Sequence, residues 1–191
     1  MRFDTPSRLV MTCRSEKESK LAAFVLAGLT ATDAPGVVTL VARGTDSPVA
    51  SALVAALAQA GHGNVKVRIV LFDIDTIVED HAAATILDVA GADIRVLPDS
   101  RFAAAHEQLV LGSDCVWLGD CMRRDPAKRD AFAVFHDANV TAAQHAAQSF
   151  AKLWAVAIPL KRSVGRTMAP QALIAGQQTT DTGNDLPSRR G

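Results

Sequence analysis

The chain has 191 residues, enough for one domain that can bury a proper core. Its hydrophobic fraction of 49% and charged fraction of 21% lie within the ordinary globular range. The 20 Lys and Arg balance 20 Asp and Glu, so no global field draws the chain to nucleic acid or acidic lipid. Any such attraction has to come from a local basic patch.

Near the N-terminus, Arg8-Leu9-Val10-Met11-Thr12 reads as a first strand. Leu21 to Leu29 (LAAFVLAGL) is an apolar run that follows Lys17 and Lys20. It has some of the look of a signal-peptide core, but Asp4, Glu16 and Glu18 put acids where a leader is basic. The run is too short to span a bilayer, and it reads as a buried first helix capped by Ser15. Three cysteines, Cys13, Cys115 and Cys121, form no Cys-x-x-Cys pair. An odd count without metal-ligand spacing favours reduced thiols in a cytoplasmic, membrane-free protein.

Val37-Val38-Thr39-Leu40-Val41-Ala42 is a run rich in β-branched residues, as expected of a strand buried on both faces. Gly44-Thr45-Asp46-Ser47-Pro48 supplies a polar cap and a first-turn proline for a helix from Ser47 to Ala60. Val65 to Phe72 is the next strand. Asp73 and Asp75 follow at its carboxyl end, where open α/β sheets tend to bind ligands. Two aspartates in that spacing hold a divalent metal or simply start a helix; nothing obvious completes an oxygen-rich site, so no metal is expected and the helix runs to about Ala90. Ala92 to Pro98 is a short strand stopped by proline.

The stretch Ala105 to Asp120 organises the chain. Two apolar runs flank a Gly112-Ser113-Asp114 turn, which reads as a β-hairpin with His106 at the mouth of its first strand. Alternation puts His106, Gln108 and Val110 on one face and Glu107, Leu109 and Leu111 on the other. A His and an amide projecting together form a phosphate site, or the His merely bonds a nearby carbonyl; short motifs do not decide between them. Met122 to Asp130 is a dense charged loop in which Arg123, Arg124 and Lys128 are candidate phosphate-binding cations, with Asp125 and Asp130 to neutralise them. Ala131 to Phe135 reads as a strand and Asn139 to Ala157 as the last helix. The alternation gives an α/β domain over residues 1–158, with a mixed sheet and helices on both faces. Residues 159–191, rich in Gln, Thr, Gly, Ser and Pro, form a polar C-terminal tail that is flexible or docks on a protein partner.

His106-Glu107-Gln108, an apolar run, a turn, then Val116-Trp117-Leu118-Gly119 resembles the signature region of the phospholipase D superfamily, His-x-Lys-(x)4-Asp and then Gly-Ser-x-Asn. Ser47 to Leu57 with Val65 to Leu71 is similar to the helix and strand before the signature in the small bacterial endonucleases of that superfamily. Ala131 to Phe135 and the helix ending Phe150-Ala151-Lys152-Leu153-Trp154 are similar to their closing strand and helix. The resemblance implies a phospholipase D-like fold and names His106 as the nucleophile. The family's Lys is Gln108, its Asp falls at Ser113 with Asp114 one residue late, and Gly-Ser-x-Asn has become Gly119-Asp120-Cys121-Met122.

In the family, as the resemblance implies, one His attacks phosphorus and a second protonates the leaving oxygen, while Lys and Asn hold the phosphoryl oxygens. Gln108 brings no positive charge to that transition state, and loss of one stabilising donor typically costs about 10²–10³ in rate. Asp120 beside a phosphate would repel it. The expected function is therefore a degenerate, non-catalytic binding or scaffold subunit, needing no cofactor. The alternative is an active phosphodiesterase or nuclease in which Arg123, Arg124 or Lys128 replaces the Lys, and a third reading gathers His106, Asp114 and Asp120 around a metal. Single-signature members of the family build their site between two subunits, which implies a homodimer with the His106 side chains near its two-fold axis. Val116, Trp117 and Leu118 are candidate interface anchors, or ordinary core.

Overall fold

A computed structural model describes residues 14–31, 36–60, 65–72, 86–123 and 132–160. All of them lie in one compact unit, Met1–Lys161; Arg162–Gly191 form a second unit outside the described residues. The expected tail past Leu160, the strand at residues 8–12, the Asp73–Asp75 pair, the helix after it up to residue 85, and Arg124 and Lys128 also lie outside the described residues; at the end of that expected helix Ile86–Asp88 form a 3-10 turn.

The elements run α1 (Arg14–Thr30), β1 (Val37–Ala42), α2 (Pro48–Ala60), β2 (Lys66–Leu71), β3 (Asp93–Val96), β4 (His106–Leu111), β5 (Cys115–Cys121), β6 (Val134–His136), α3 (Val140–Val156) and β7 (Ile158–Pro159). Short 3-10 turns at Ile86–Asp88 and Ser100–Ala104 lead into β3 and β4. The seven strands form one mixed sheet in the order β6-β5-β4-β1-β2-β3-β7. β1, β2 and β3 pair parallel, while β4, β5, β6 and β7 attach antiparallel.

Strand alternation explains how the sheet buries both faces. Val38, Leu40, Ile69, Leu71, Leu109, Leu111 and Trp117 pack with α1 and α2 in the largest apolar cluster. Val41 and Val70 point the other way and meet Phe150 and Leu153 of α3; Val110 and Val116 meet Ala143 and Ala146. Helices therefore cover both faces, as the alternation of elements implied.

Three local expectations need correcting. α1 already includes Ser15, since it begins at Arg14, so Ser15 does not stand outside it as a cap. The apolar run of α1 is not buried all round: Leu21, Val25 and Leu29 form the inward stripe, whereas Ala23 and Ala27 are exposed. A helix lying on a sheet buries only one stripe, whatever the rest of its surface carries. Trp117 is 6% exposed and Val116 fully buried, both within the chain's own core, so neither is free to anchor an interface.

At its start, α3 behaves as its sequence suggests. Asn139 caps it, with its Oδ1 accepting from the Ala142 N–H at 2.9 Å. No helix of the described residues is long and apolar enough to cross a membrane.

Candidate functional site

The chain enters β4 from the Ser100–Ala104 turn, which Asp99 caps by accepting from the Arg101 N–H at 2.8 Å. The Arg101 side chain also hydrogen-bonds Asp99, and that bond holds the Asp99 carboxyl below its ordinary pKa. His106 is then the first residue of β4 and stands opposite Cys121 of β5. The Cys121 thiol donates to the Ala103 and Ala104 carbonyls, and Met122 N–H to the Ala105 carbonyl at 2.9 Å. The mouth of the hairpin is thereby tied to the turn that delivers it.

A register shift lies between His106 and Gln108: three steps on β5, Cys121 to Leu118, oppose two on β4. Such a bulge re-aims the groups beside it. The Gly119 carbonyl lies 2.8 Å from His106 Nδ1. A carbonyl only accepts, so Nδ1 carries the proton, and in the neutral ring Nε2 is left with its lone pair. The imidazole is exposed, with the Phe132 ring 5.8 Å away. Gly119 is required for packing: a Cβ there would run into the indole of Trp117.

Gln108 and Val110 do share a face, the one toward α3. Gln108 is 3% exposed, and its amide nitrogen donates to the Ala146 carbonyl of α3 at 2.9 Å. Asp120 is 6% exposed and accepts from the Phe132 N–H at 3.3 Å. Asp114 belongs to the turn at the opposite end of β4. A strand advances about 3.3 Å per residue, so β4 holds His106 more than about 15 Å from that turn. Neither Asp114 nor Ser113 can therefore act as an acid beside His106 within one subunit. Arg123 is exposed just past β5.

The structure thus places Asp120 one residue from Cys121, the cross-strand partner of His106, and turns Gln108 into a tie to α3. The metal-centred reading fails with Asp114: among the described residues no three His, Cys, Asp or Glu side chains gather to hold a metal ion.

A polar cluster behind His106 was not singled out from the sequence. Glu107 points to the opposite face, where its Oε1 accepts from the Arg43 N–H at 3.0 Å and the Ser47 hydroxyl at 2.7 Å. The Arg43 guanidinium donates to the Met122 carbonyl at 2.7 Å. Four segments, the ends of β1 and β5, the start of α2 and the mouth of β4, converge here. Ser47 had been read only as part of a helix cap. The available signal was Arg43 itself, a cation directly after an apolar parallel strand, at the sheet end that favours ligands.

Two cavities lie away from this region. One of about 530 Å³ is bordered by Lys20, Phe24 and Gly28 of α1 and by Cys115, Phe135 and Asp137. Another of about 280 Å³ lies between α1 and the start of α2. Burial pushes the Cys115 thiol above its ordinary pKa, while a backbone bond at Ala138 pulls the other way.

No protein-family model matches this chain, and no curated protein matches it. Among solved structures it is similar to TrmBL2, an archaeal chromatin protein with a novel mode of DNA binding, with a TM-score of 0.53 and 15% identity over 82% of this chain. It spans only about half of that protein, 52% of its length. It is also similar to NucT from Helicobacter pylori, at a TM-score of 0.50 and 14% identity, covering 82% of this chain and 99% of that one. The chain shares with both a fold built on one mixed sheet with helices on both faces. Nuc from Salmonella typhimurium, a phospholipase D family member, aligns with a TM-score of 0.47 and 18% identity over 73% of this chain and 90% of its own. At these identities the likeness is one of fold, and the chemistry of this chain rests on its own residues.

Proposed function

We propose that this phospholipase D-like chain is a non-catalytic binding or scaffold subunit. The observation that carries the reading is Gln108. At the position where the resemblance expects a phosphate-holding lysine, a neutral amide is buried and gives its N–H to the Ala146 carbonyl. Asp120 adds to it, because a buried carboxylate next to the cross-strand partner of His106 opposes a bound phosphate. The test is a phosphodiesterase assay on a chromogenic diester and on DNA, with and without divalent cations. The expected outcome is no turnover above the His106→Ala variant; metal-independent turnover lost in that variant overturns the reading.

A second reading, phosphodiesterase activity through His106, draws on one feature. The bond from Nδ1 to the Gly119 carbonyl orients the ring and leaves Nε2 unprotonated, as a nucleophile needs. In this reading Arg43, tethered to the Met122 carbonyl, supplies positive charge with Arg123, Arg124 and Lys128 from the loop, and the same assay decides it.

The chain acts as a homodimer in our reading, with the two His106 side chains near its two-fold axis. Phe132, 40% exposed and beside His106, replaces Trp117 as the apolar anchor. Light scattering is expected to give about twice 20.2 kDa, and a clean monomer at micromolar concentration overturns it. The likeness to a DNA-binding chromatin protein makes DNA the nucleic acid to test. Any affinity is expected to fall steeply with salt and to vanish when Arg123, Arg124 and Lys128 are replaced together by alanine.

A further inference from the structure

The face of the sheet under α3 carries polar groups that none of these readings uses. Among the described residues, three buried side-chain nitrogen or oxygen atoms have no hydrogen-bond partner: Thr39 Oγ1, Arg68 Nε and Arg95 Nε. All three carry a hydrogen to donate. They come from adjacent strands, one each from β1, β2 and β3. Thr39 and Arg68 are direct partners in the β1–β2 register, and Arg95 stands opposite Val70, two residues along from Arg68. Alternation therefore puts the three on one face.

Their surroundings are cationic and aromatic. The Arg95 guanidinium lies 4.1 Å from the centre of the Trp154 ring and the Arg68 guanidinium 5.7 Å from it. Arg95 also donates through Nη1 to the Trp154 carbonyl at 3.0 Å, which caps the last turn of α3. Among the described residues Arg68 Nε has no such acceptor. Asp93 stands opposite it in register, exposed, and no ion pair forms between them among the described residues. Lys66 adds a further cation two residues before Arg68 on the same face.

A half-buried guanidinium with neither carboxylate nor carbonyl partner is costly unless something outside the chain supplies the acceptor. Three unpaired donors, with the cations Lys66, Arg68 and Arg95 outnumbering the one carboxylate of Asp93 on the same face, match an oxyanion with several acceptor oxygens. The aromatic part of the cluster is already filled. Phe150 stacks on Trp154 at 5.3 Å with an interplanar angle of 26°, and Arg95 lies over the ring, so no open indole face remains for a nucleobase. We infer that Thr39, Arg68 and Arg95 form a binding site for a phosphate group, as inorganic phosphate or a small phosphate monoester, on the α3 face. It is separate from the His106 region: Thr39 pairs with Val110, four residues or about 13 Å along β4 from His106, and Arg68 and Arg95 lie on strands farther off.

The test is a titration of the full ¹⁵N-labelled chain with inorganic phosphate, at ionic strength held constant with sodium chloride, read by NMR. The Arg68 Nε–H and the Trp154 indole N–H are expected to shift and saturate, while the Trp117 indole stays in place. Arg68→Gln is expected to raise the apparent Kd about tenfold or more, and Thr39→Val about threefold. A parallel titration with acetate separates phosphate from a carboxylate, and is expected to bind much more weakly. The inference is overturned if chloride alone reproduces the shifts, if acetate saturates them equally, or if Arg68→Gln titrates like the parent. Should Arg68→Gln fail to fold by circular dichroism, Thr39→Val decides, and parent-like binding in that variant overturns it.

Discussion

The two faces of this sheet are built to different rules. Toward α1 and α2, every inward position described on β1, β2 and the inner part of β4 is apolar, from Val38 and Leu40 through Ile69 and Leu71 to Leu109 and Leu111. Toward α3, these strands and β3 mix apolar side chains with Thr39, Arg68, Arg95 and Gln108. One face is a cohesive core, and the other mixes packing with groups that need partners. The difference teaches where to look for function, on the face whose polar groups need partners.

Adjacent residues pointing in opposite directions give the largest contrast. Leu40→Ala, on the apolar face, is expected to cost about 2–5 kcal/mol of stability by urea denaturation, since it empties a fully buried site. Gly119→Ala should cost about 1–3 kcal/mol, because the added methyl meets the buried Trp117 ring. It should also move the carbonyl that holds His106, visible as a changed imidazole tautomer signal by NMR. Asn139→Ala, at the start of α3, is expected to cost about 1 kcal/mol through the lost cap, and a change near zero would deny α3 its defined start.

Gln108→Leu sharpens the comparison from the other side. Its loss is expected to stay under about 1 kcal/mol, because the Ala146 carbonyl lies within α3 and keeps its helical donor when the side-chain bond goes. A loss above about 3 kcal/mol would mean that the amide is as structural as Leu40.

The smallest expected effect depends on pH. Burial raises the Cys115 thiol above its ordinary value of 9.0, so the fold favours its neutral form. That stabilisation is complete below the unfolded-state pKa and is lost as pH rises through the folded one. Melting temperature should therefore decline somewhat more steeply above pH 9.0 in the parent than in Cys115→Ala. Iodoacetamide should also alkylate Cys115 more slowly than a free cysteine at pH 8.5 or so.

Much of the fold was legible because its signals are local. Val37–Ala42 is apolar but for Thr39 and lies centrally in the sheet, Pro48 opens α2, and Asn139 caps α3. The hairpin followed from two apolar runs around Gly112, which adopts a φ of +69°. β7 escaped notice because its two residues, one of them a proline, carry no strand signal of their own and exist only through pairing with β3. The site was less legible. His106 stood out, but Glu107, Arg43 and Ser47 were too far apart in sequence to be read as one cluster.

The sequence by itself determined which elements form, since hydrophobic period, caps and turn residues act over a few neighbours. It also set Gln108, a neutral amide, two residues after His106, where the resemblance to the phospholipase D superfamily expects a lysine. Tertiary structure alone decided what the remaining polar groups do. The bulge on β5 turned the Gly119 carbonyl toward His106, the crossing of α3 gave Gln108 a carbonyl to bond, and the parallel register placed Thr39, Arg68 and Arg95 side by side. Such contacts join residues tens of positions apart, and their partners are set by register and packing rather than by local spacing.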